Sequence, residues 1–419
     1  MYFYGISGSN KIGGSSYFIK MGDRKFLLDM GLDPNLPGVY PKYENLYRKK
    51  LLTSMGDLDS VIISHAHLDH IGSLPYMLKE GEKVPIITSK ATKILGKALL
   101  LSAPKESDDY IEIFKKDEVE KVFSLINPKE NMVAQDYEIN LYDSGHILGS
   151  KMVEIVTQDE RVLYTGDFSL KNMITAKKMP LASIKSPDIL LCEGTNLTKN
   201  MNSYINERLG FIRHANKVVA NGVLLIPAFA LGRTQEVVCL LKNAMKSQLL
   251  KRVPIYVDGL SVEISQLYNE LGIEVLDEDV KIATNRFYET MDDSPKIIVC
   301  SSGMLLKNSK SYIYAQKVLK NENNSVTFVG YQDKRTPGFK LLYEKNFNFK
   351  ATINRFSFSA HGDEKEIFQL IDRLKPKKVV FLHRNLKEQD EKELEKRLTK
   401  IYGKNIQFYF PEDGEELNL

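Results

Sequence analysis

Apolar residues along this chain fall in short runs that each stop at a polar residue. Phe26-Leu27-Leu28 ends at Asp29, Val61-Ile62-Ile63 at Ser64, Val162-Leu163-Tyr164 at Gly166-Asp167, and Ile189-Leu190-Leu191-Cys192 at Glu193. Runs of this length bounded by turn residues predict strands, and loops just beyond strand ends are where layered α/β folds present reactive side chains. The same pattern predicts a strand over 84–88 followed by a helix over 91–101. Beyond Glu193 the texture becomes a regular alternation. Strands over 223–226, 254–257 and 296–300 are each followed by a helix, over 234–246, 261–271 and 309–319, and a strand over 326–329 closes the series. That alternation predicts parallel βαβ units, so this stretch reads as a doubly wound α/β unit of its own. A strand over 352–358, a helix over 364–374 and a strand over 378–382 follow, and the stretch 387–397, which mixes both charges at helical spacing, predicts a solvated helix face.

Composition sets bounds without naming a function. With 419 residues, 43% of them hydrophobic, the chain has room for two ordinary domains or one large one. No apolar run approaches the length of about 20 residues that spans a bilayer, and the first residues lack the order of a signal peptide. A cytoplasmic protein with no membrane contact is therefore expected. Cys192, Cys239 and Cys300 lie inside apolar runs without zinc-finger spacing, which predicts buried, reduced thiols. The 58 basic and 54 acidic residues nearly cancel to +4, a weak argument for a polyanionic partner.

The seven histidines change the picture, because six sit in four short polar segments. These are His65-Ala66-His67-Leu68-Asp69-His70, Ser144-Gly145-His146, Ser359-Ala360-His361-Gly362-Asp363 and Leu382-His383-Arg384. The seventh, His214, reads as a surface helix residue. Four potential ligands in six residues directly after a strand suit a pair of neighbouring metals, and a nitrogen-rich set with a minority of carboxylate and no thiolate favours zinc, with manganese a weaker candidate. His65, His67 and His146 can hold one ion and Asp69, His70 and His383 the other, with Asp167 bridging. Two such ions would lower the pKa of a bound water towards neutrality and supply a hydroxide nucleophile. Asp29 is placed behind them, as a carboxylate that orients an imidazole.

These segments, in this order, resemble the metallo-β-lactamase superfamily, and the second half resembles its β-CASP nuclease branch. Asp29 looks like the first superfamily motif, His65 to His70 the second, His146 the third and Asp167 the fourth. Glu193 in Cys192-Glu193-Gly194-Thr195, His361 and His383 look like the three motifs of the branch, and Ile226 to Arg233, Ser301 to Leu305 and Gly330-Tyr331-Gln332 are close to what it carries. The resemblance implies a metallo-β-lactamase αββα sandwich with an inserted β-CASP α/β domain. Residues 1–194 and 356–419 would form the first domain and 195–355 the insertion. It also implies a zinc-dependent ribonuclease that cleaves single-stranded RNA internally, from the 5′ end, or both, with two zinc ions. Asp69, His361 and Glu193 are the catalytic candidates, His361 serving as general acid or stabilising the leaving oxygen, with Glu193 as its partner. Ser359 and Gly362 resemble residues that contact substrate phosphate, and Arg233 joins them because a guanidinium reads phosphate oxygens in pairs. Lys334, Arg335 and Arg384 are further candidates for positive charge toward RNA.

A histidine at the position of His383 goes with RNA-processing members of the branch, whereas DNA-repair members carry valine there. A DNA-directed nuclease, a small-molecule hydrolase of the same superfamily and a non-catalytic RNA-binding scaffold are the rival readings, and a homodimer is left open. From where the chain starts and ends, the resemblance leads one to expect neither the KH extension of some archaeal relatives nor the added C-terminal domain of typical RNase J.

Overall fold

The computed structural model describes residues 1–33, 39–79, 83–102, 114–284, 286–344 and 349–419. The chain divides into two compact units, one of Met1–Leu101, Tyr110–Asn200 and Ala360–Leu419, the other of Ser102–Asp109 and Met201–Ser359.

The first unit contains two sheets, and the alternation within its strands explains why they face each other. In the strand Arg24–Leu28, Phe26 and Leu28 point into one core and Leu27 into another. In Ile189–Glu193, Ile189 and Leu191 join the first of those cores while Leu190 and Cys192 enter a third. Successive side chains of a strand alternate between faces, so each sheet is apolar on both sides and must be covered on both. The shared core, with Phe3, Tyr17, Phe26, Ile155, Leu191 and Val380, is packed between the sheets. Each fully buried side chain of this kind stabilises the fold by about 1.5–3 kcal/mol.

The outer faces are covered by helices. Val119, Val122 and Phe123 of Lys116–Leu125, with Leu100 of Lys90–Ser102, lie over the first sheet. Ile367, Leu370, Ile371 and Leu374 of Glu364–Leu374, with Leu394 and Leu398 of Glu388–Tyr402, lie over the second. This is the αββα sandwich that the resemblance implied. The first sheet mixes antiparallel strands (Glu416–Asn418, Tyr2–Ser7, Ser16–Met21, Arg24–Leu28) with two parallel ones (Ser60–Ile62, Ile86–Ile87). In the second, Arg161–Tyr164, Ile189–Glu193 and Lys378–Leu382 run parallel, so their carboxyl ends open on the same side.

The second unit is a six-stranded sheet in which every pair is parallel. Its central strands, Val223–Pro227 and Lys296–Cys300, are buried throughout, as expected of a sheet covered on both faces. The series does not close at 326–329. Thr352–Arg355 adds one more parallel strand beside Ser325–Phe328, in register from Ser325 and Thr352. A strand over Val280–Ile282, too short and too polar to show as an apolar run, forms the opposite edge.

Two expectations need correction. His214 is half-buried, not a surface residue: its Nε2 lies 2.9 Å from Thr327 Oγ1 and 3.2 Å from Ser325 Oγ, which fastens the helix Tyr204–Val218 to the sheet. Arg384, expected to carry charge toward RNA, is 1% exposed. Its guanidinium donates to the carbonyls of Ser9, Phe410 and Pro411 and pairs with Glu391 at 2.9 Å, tying the C-terminal segment to the first loop. Arg384→Ala would leave those buried carbonyls without a donor, and we expect it to lower the free energy of unfolding by about 2–3 kcal/mol in urea denaturation.

The three cysteines are buried, and none of them forms a disulfide. Among the described residues, no helix is long and apolar enough to cross a membrane.

Candidate metal centre

Strand ends of the first unit converge on Asp167. The loop after Ser60–Ile62 supplies His65 and His67, and the short helix Leu68–Ile71 supplies Asp69 and His70. His67 takes an extended conformation at the helix start, which is the break in direction that lets all four point inward instead of alternating as they would on a strand. The loop after Lys151–Thr157's partner strand carries His146, the loop after Arg161–Tyr164 carries Asp167, and His383 follows Lys378–Leu382.

Asp167 is 2% exposed and its two oxygens face different imidazoles. Oδ2 lies 3.5 Å from His65 Nε2 and 3.6 Å from His146 Nε2, while Oδ1 lies 3.4 Å from His70 Nε2 and 3.3 Å from His383 Nδ1. His67 Nδ1 is 3.1 Å from Nε2 of both His65 and His146. On the other side, Asp69 Oδ2 is 3.4 Å from His383 Nε2 and 3.9 Å from His70 Nε2. Three groups form among the described residues, His65, His67, His146 and Asp167 in one, Asp69, His70 and His383 in another, and Asp167, Glu193 and His361 in a third, with the candidate ligand atoms of each group within 4.8 Å of one another.

The far nitrogens of three of these rings are held. His65 Nδ1 is 3.0 Å from Ser64 Oγ, His146 Nδ1 is 2.9 Å from the Ala360 carbonyl, and His70 Nδ1 is 2.8 Å from Asp29 Oδ2, while His383 Nδ1, which faces Asp167, is also 3.1 Å from Thr195 Oγ1. Such bonds fix ring orientation and direct the remaining nitrogen at a cation. Asp29 is fully buried and also accepts from Ser64 N, Ser64 Oγ and Tyr164 OH. Asp29 and His383 both have left-handed backbones, φ +60° and +48°, a conformation that costs about 1–3 kcal/mol outside glycine and clusters at functional sites.

Charge and burial fit a cation. Burial, then repulsion from neighbouring imidazoles, holds His65 and His146 well below the usual histidine range, so both offer a neutral lone pair. Burial also lowers His67. His70 goes the other way: burial opposes its charge, but Asp167, Asp69 and Asp29 override it and raise it to about 10. Against the same cost of burial, His70 and His383 hold the Asp69 carboxyl far below the ordinary carboxylate range. His70 Nε2 and Asp167 Oδ1 are buried without a hydrogen-bond partner. Buried polar atoms of native proteins are nearly always partnered, and a cation between these two would account for both. The donor set therefore fits a metal cofactor. Gly13 N–H, 3.2 Å from His383 Nε2, is the one contact a cation there would displace.

His361 stands beside the first group. Its Nδ1 is 3.0 Å from Glu193 Oε2 and 3.6 Å from Asp167 Oδ2, with 24% of its side chain exposed. Burial would discharge the ring, but the Glu193 and Asp167 carboxylates outweigh it and raise His361 to about 9, while Glu193, itself penalised by burial, is lowered by His361. Gly362 donates its N–H to the Phe168 carbonyl at 2.6 Å, so the one donor it could offer a phosphate is already engaged. A Cβ there would stand 2.7 Å from the Phe168 ring, so packing alone requires glycine. Arg233 starts the helix Arg233–Lys246 in the second unit, and its guanidinium donates to the Phe358 carbonyl, one residue before Ser359. Lys334 and Arg335 are exposed, with Arg335 paired to Asp333 at 2.8 Å. Ser64, Tyr164 and Thr195, which hold the ligands and their carboxylate, went unassigned from sequence. The signal for them was their place within three residues of a motif residue.

Three family models match the chain: the metallo-beta-lactamase superfamily over residues 10–177, the Beta-Casp domain over 234–341, and the Zn-dependent metallo-hydrolase RNA specificity domain over 347–406. Integrator complex subunit 11 of Danio rerio is 30% identical over 99% of this chain and 73% of its own length. The chain belongs to the β-CASP branch of the metallo-β-lactamase superfamily. Another β-CASP relative, RNase aCSPSF2 of Saccharolobus solfataricus, is 28% identical over 99% of this chain and 84% of its own. Transcription termination factor FttA of a Lokiarchaeum species is 27% identical over 90% of this chain and 65% of its own. A crystal structure of a protein of unknown function from Enterococcus faecalis shares the fold, with a TM-score of 0.64 at 16% identity over 100% and 99% of the two chains. Membership of this branch makes the chain a metal-dependent hydrolase of the nuclease type.

Proposed function

We propose that this chain is a zinc-dependent ribonuclease that hydrolyses phosphodiester bonds in single-stranded RNA. The observation that carries the reading is Asp167, whose two oxygens divide the imidazoles into two groups while His361, paired with Glu193, stands beside one of them. Relatives named as an RNase and as a cleavage and polyadenylation specificity factor subunit support RNA as substrate, as does the RNA specificity model. His383, where DNA-repair members carry valine, supports the same choice. Buried cysteines outside any disulfide suit a reducing cytoplasm.

His65, His67, His146 and Asp167 would hold one ion and Asp69, His70 and His383 the other. Bound there, the pair supplies an activated water and positive charge for the phosphoryl oxygens. The chain's own groups manage the protons. Asp69, kept ionised by His70 and His383, accepts the proton of the attacking water. As the new P–O bond forms, the bond to the leaving oxygen breaks, and that oxygen takes the proton from Nε2 of His361, which Glu193 anchors through Nδ1. The retained ligands argue against a non-catalytic scaffold.

The test is to incubate the protein with RNA and matched DNA oligonucleotides labelled at either end, beside Asp69→Ala and His361→Ala. Cleavage of RNA with DNA spared is expected, and the label pattern tells internal from 5′-end cutting. His361→Ala should slow cleavage by on the order of 10²-fold, the contribution of a positioned general acid. Preference for DNA would transfer the reading to a DNA nuclease, and equal activity in both variants would show the site to be misassigned.

A further inference from the structure

Resting on the nuclease reading above, we propose that Lys171, paired with Glu366, is a positioning residue that holds the backbone of the His361 loop in register with Glu193.

The loop that carries His361 is tied down residue by residue. Ala360 O accepts from His146 Nδ1 at 2.9 Å, His361 O from Lys171 Nζ at 2.8 Å, Gly362 N donates to Phe168 O at 2.6 Å, and Asp363 N to Glu366 Oε2 at 3.2 Å. Two of these anchors, Phe168 and Lys171, lie in the segment that follows Asp167. Phe168 N also donates to Glu193 Oε1 at 2.8 Å, so the partner of the His361 ring is fixed from that same segment. Lys171 Nζ is bonded to Glu366 as well, and Glu366 Oε1 accepts from Leu170 N at 2.8 Å. The pair is 10% and 13% exposed, shielded enough for the charge to fix geometry.

Helix capping does not explain the lysine. Asp363 accepts from Glu366 N and Glu366 from Asp363 N, which completes the cap of Glu364–Leu374 without it. What Lys171 adds is a bond to the carbonyl of the residue whose ring is the acid. Without it that carbonyl loses its charged donor and the ring loses its backbone reference, whereas the metal-ligand candidates keep theirs. A displacement of about 1 Å at a catalytic group can cost on the order of 10²-fold in rate. The loss should therefore fall on kcat and not on KM.

The experiment measures kcat, KM and bound metal for Lys171→Met and Lys171→Arg, each alone and combined with His361→Ala. Lys171→Met is expected to lower kcat roughly 10- to 100-fold, with KM and metal content held. Lys171→Arg, which keeps a charged donor, should recover most of the loss. In the His361→Ala background Lys171→Met should have no further effect, because residues acting on one step are not additive. A loss of equal size in both backgrounds, a change confined to KM, or parity with wild type overturns the positioning role and leaves the nuclease reading standing. A metal-loaded wild type that cuts neither RNA nor DNA overturns both. If Lys171→Met does not fold, Glu366→Gln, which removes the charge partner but keeps an acceptor for Leu170, takes its place with the same expected pattern.

Discussion

Asp167→Ala is expected to reduce the two zinc ions proposed per chain to one or fewer and to lower cleavage by more than about 10⁴-fold, since a bound cation brings the pKa of water down to about 7 and its loss withdraws the nucleophile at neutral pH. Every other candidate ligand serves a single group. Asp167 alone faces both, within 3.6 Å of four imidazole nitrogens as well as of His361. Its removal deletes a ligand of the first group and a carboxylate that faces the second, together with a negative charge that would offset the two proposed cations. His70 and His383 would also lose a carboxylate neighbour, and two uncompensated cations close together are held far less well. The comparison that isolates this effect is His67→Ala, which touches one group only and should leave about one ion bound. Elemental analysis of dialysed protein, read beside RNA cleavage, decides the matter. Two ions retained by Asp167→Ala would remove it from the bridging position.

The parts of this site that were legible in the sequence are those in which chemistry is concentrated locally. His65 to His70 places four ligand types in six residues, and each apolar run before a motif residue became a strand of the sandwich. What escaped was set by distance along the chain. Glu416–Asn418 has no apolar run of its own and becomes a strand because Tyr2–Ser7 offers it an edge. Arg384 looked like a phosphate contact from its neighbour His383, and nothing local shows that Ser9, Phe410 and Pro411 turn three carbonyls toward it. Lys171 is one of 58 basic residues until the fold sets its ammonium on the carbonyl of His361. Asp29, expected behind the ligands, draws its four donors from Ser64 and His70 in one segment and Tyr164 in another, which no spacing rule connects.

Those four donors make Asp29 the position where fold and site fail together. Asp29→Ala is expected to destabilise the first unit by about 5 kcal/mol, because removing one member of a buried charged network costs about 3–5 kcal/mol and the orphaned Ser64 and Tyr164 donors add to it. That is a large share of the roughly 5–15 kcal/mol that holds a domain folded. The left-handed backbone adds to the cost, since alanine tolerates φ +60° less well than aspartate does. Asp29→Asn separates stability from metal binding. Its amide oxygen can still accept from Ser64, so most of the fold energy survives. The amide nitrogen, if turned to His70, is a donor where the carboxylate was an acceptor, and His70 must then present a bare Nδ1. The ring proton moves to Nε2, the nitrogen that faces Asp167 and Asp69, and no lone pair remains there for a cation. Asparagine should therefore weaken zinc by roughly 10- to 100-fold at one of the two ions, the effect typical of losing a ligand's supporting hydrogen bond. Urea denaturation and zinc competition titration, run on both variants, test the two halves separately. Asp29→Asn binding both ions as tightly as wild type would show that Asp29 supports the fold without governing how His70 presents its nitrogen.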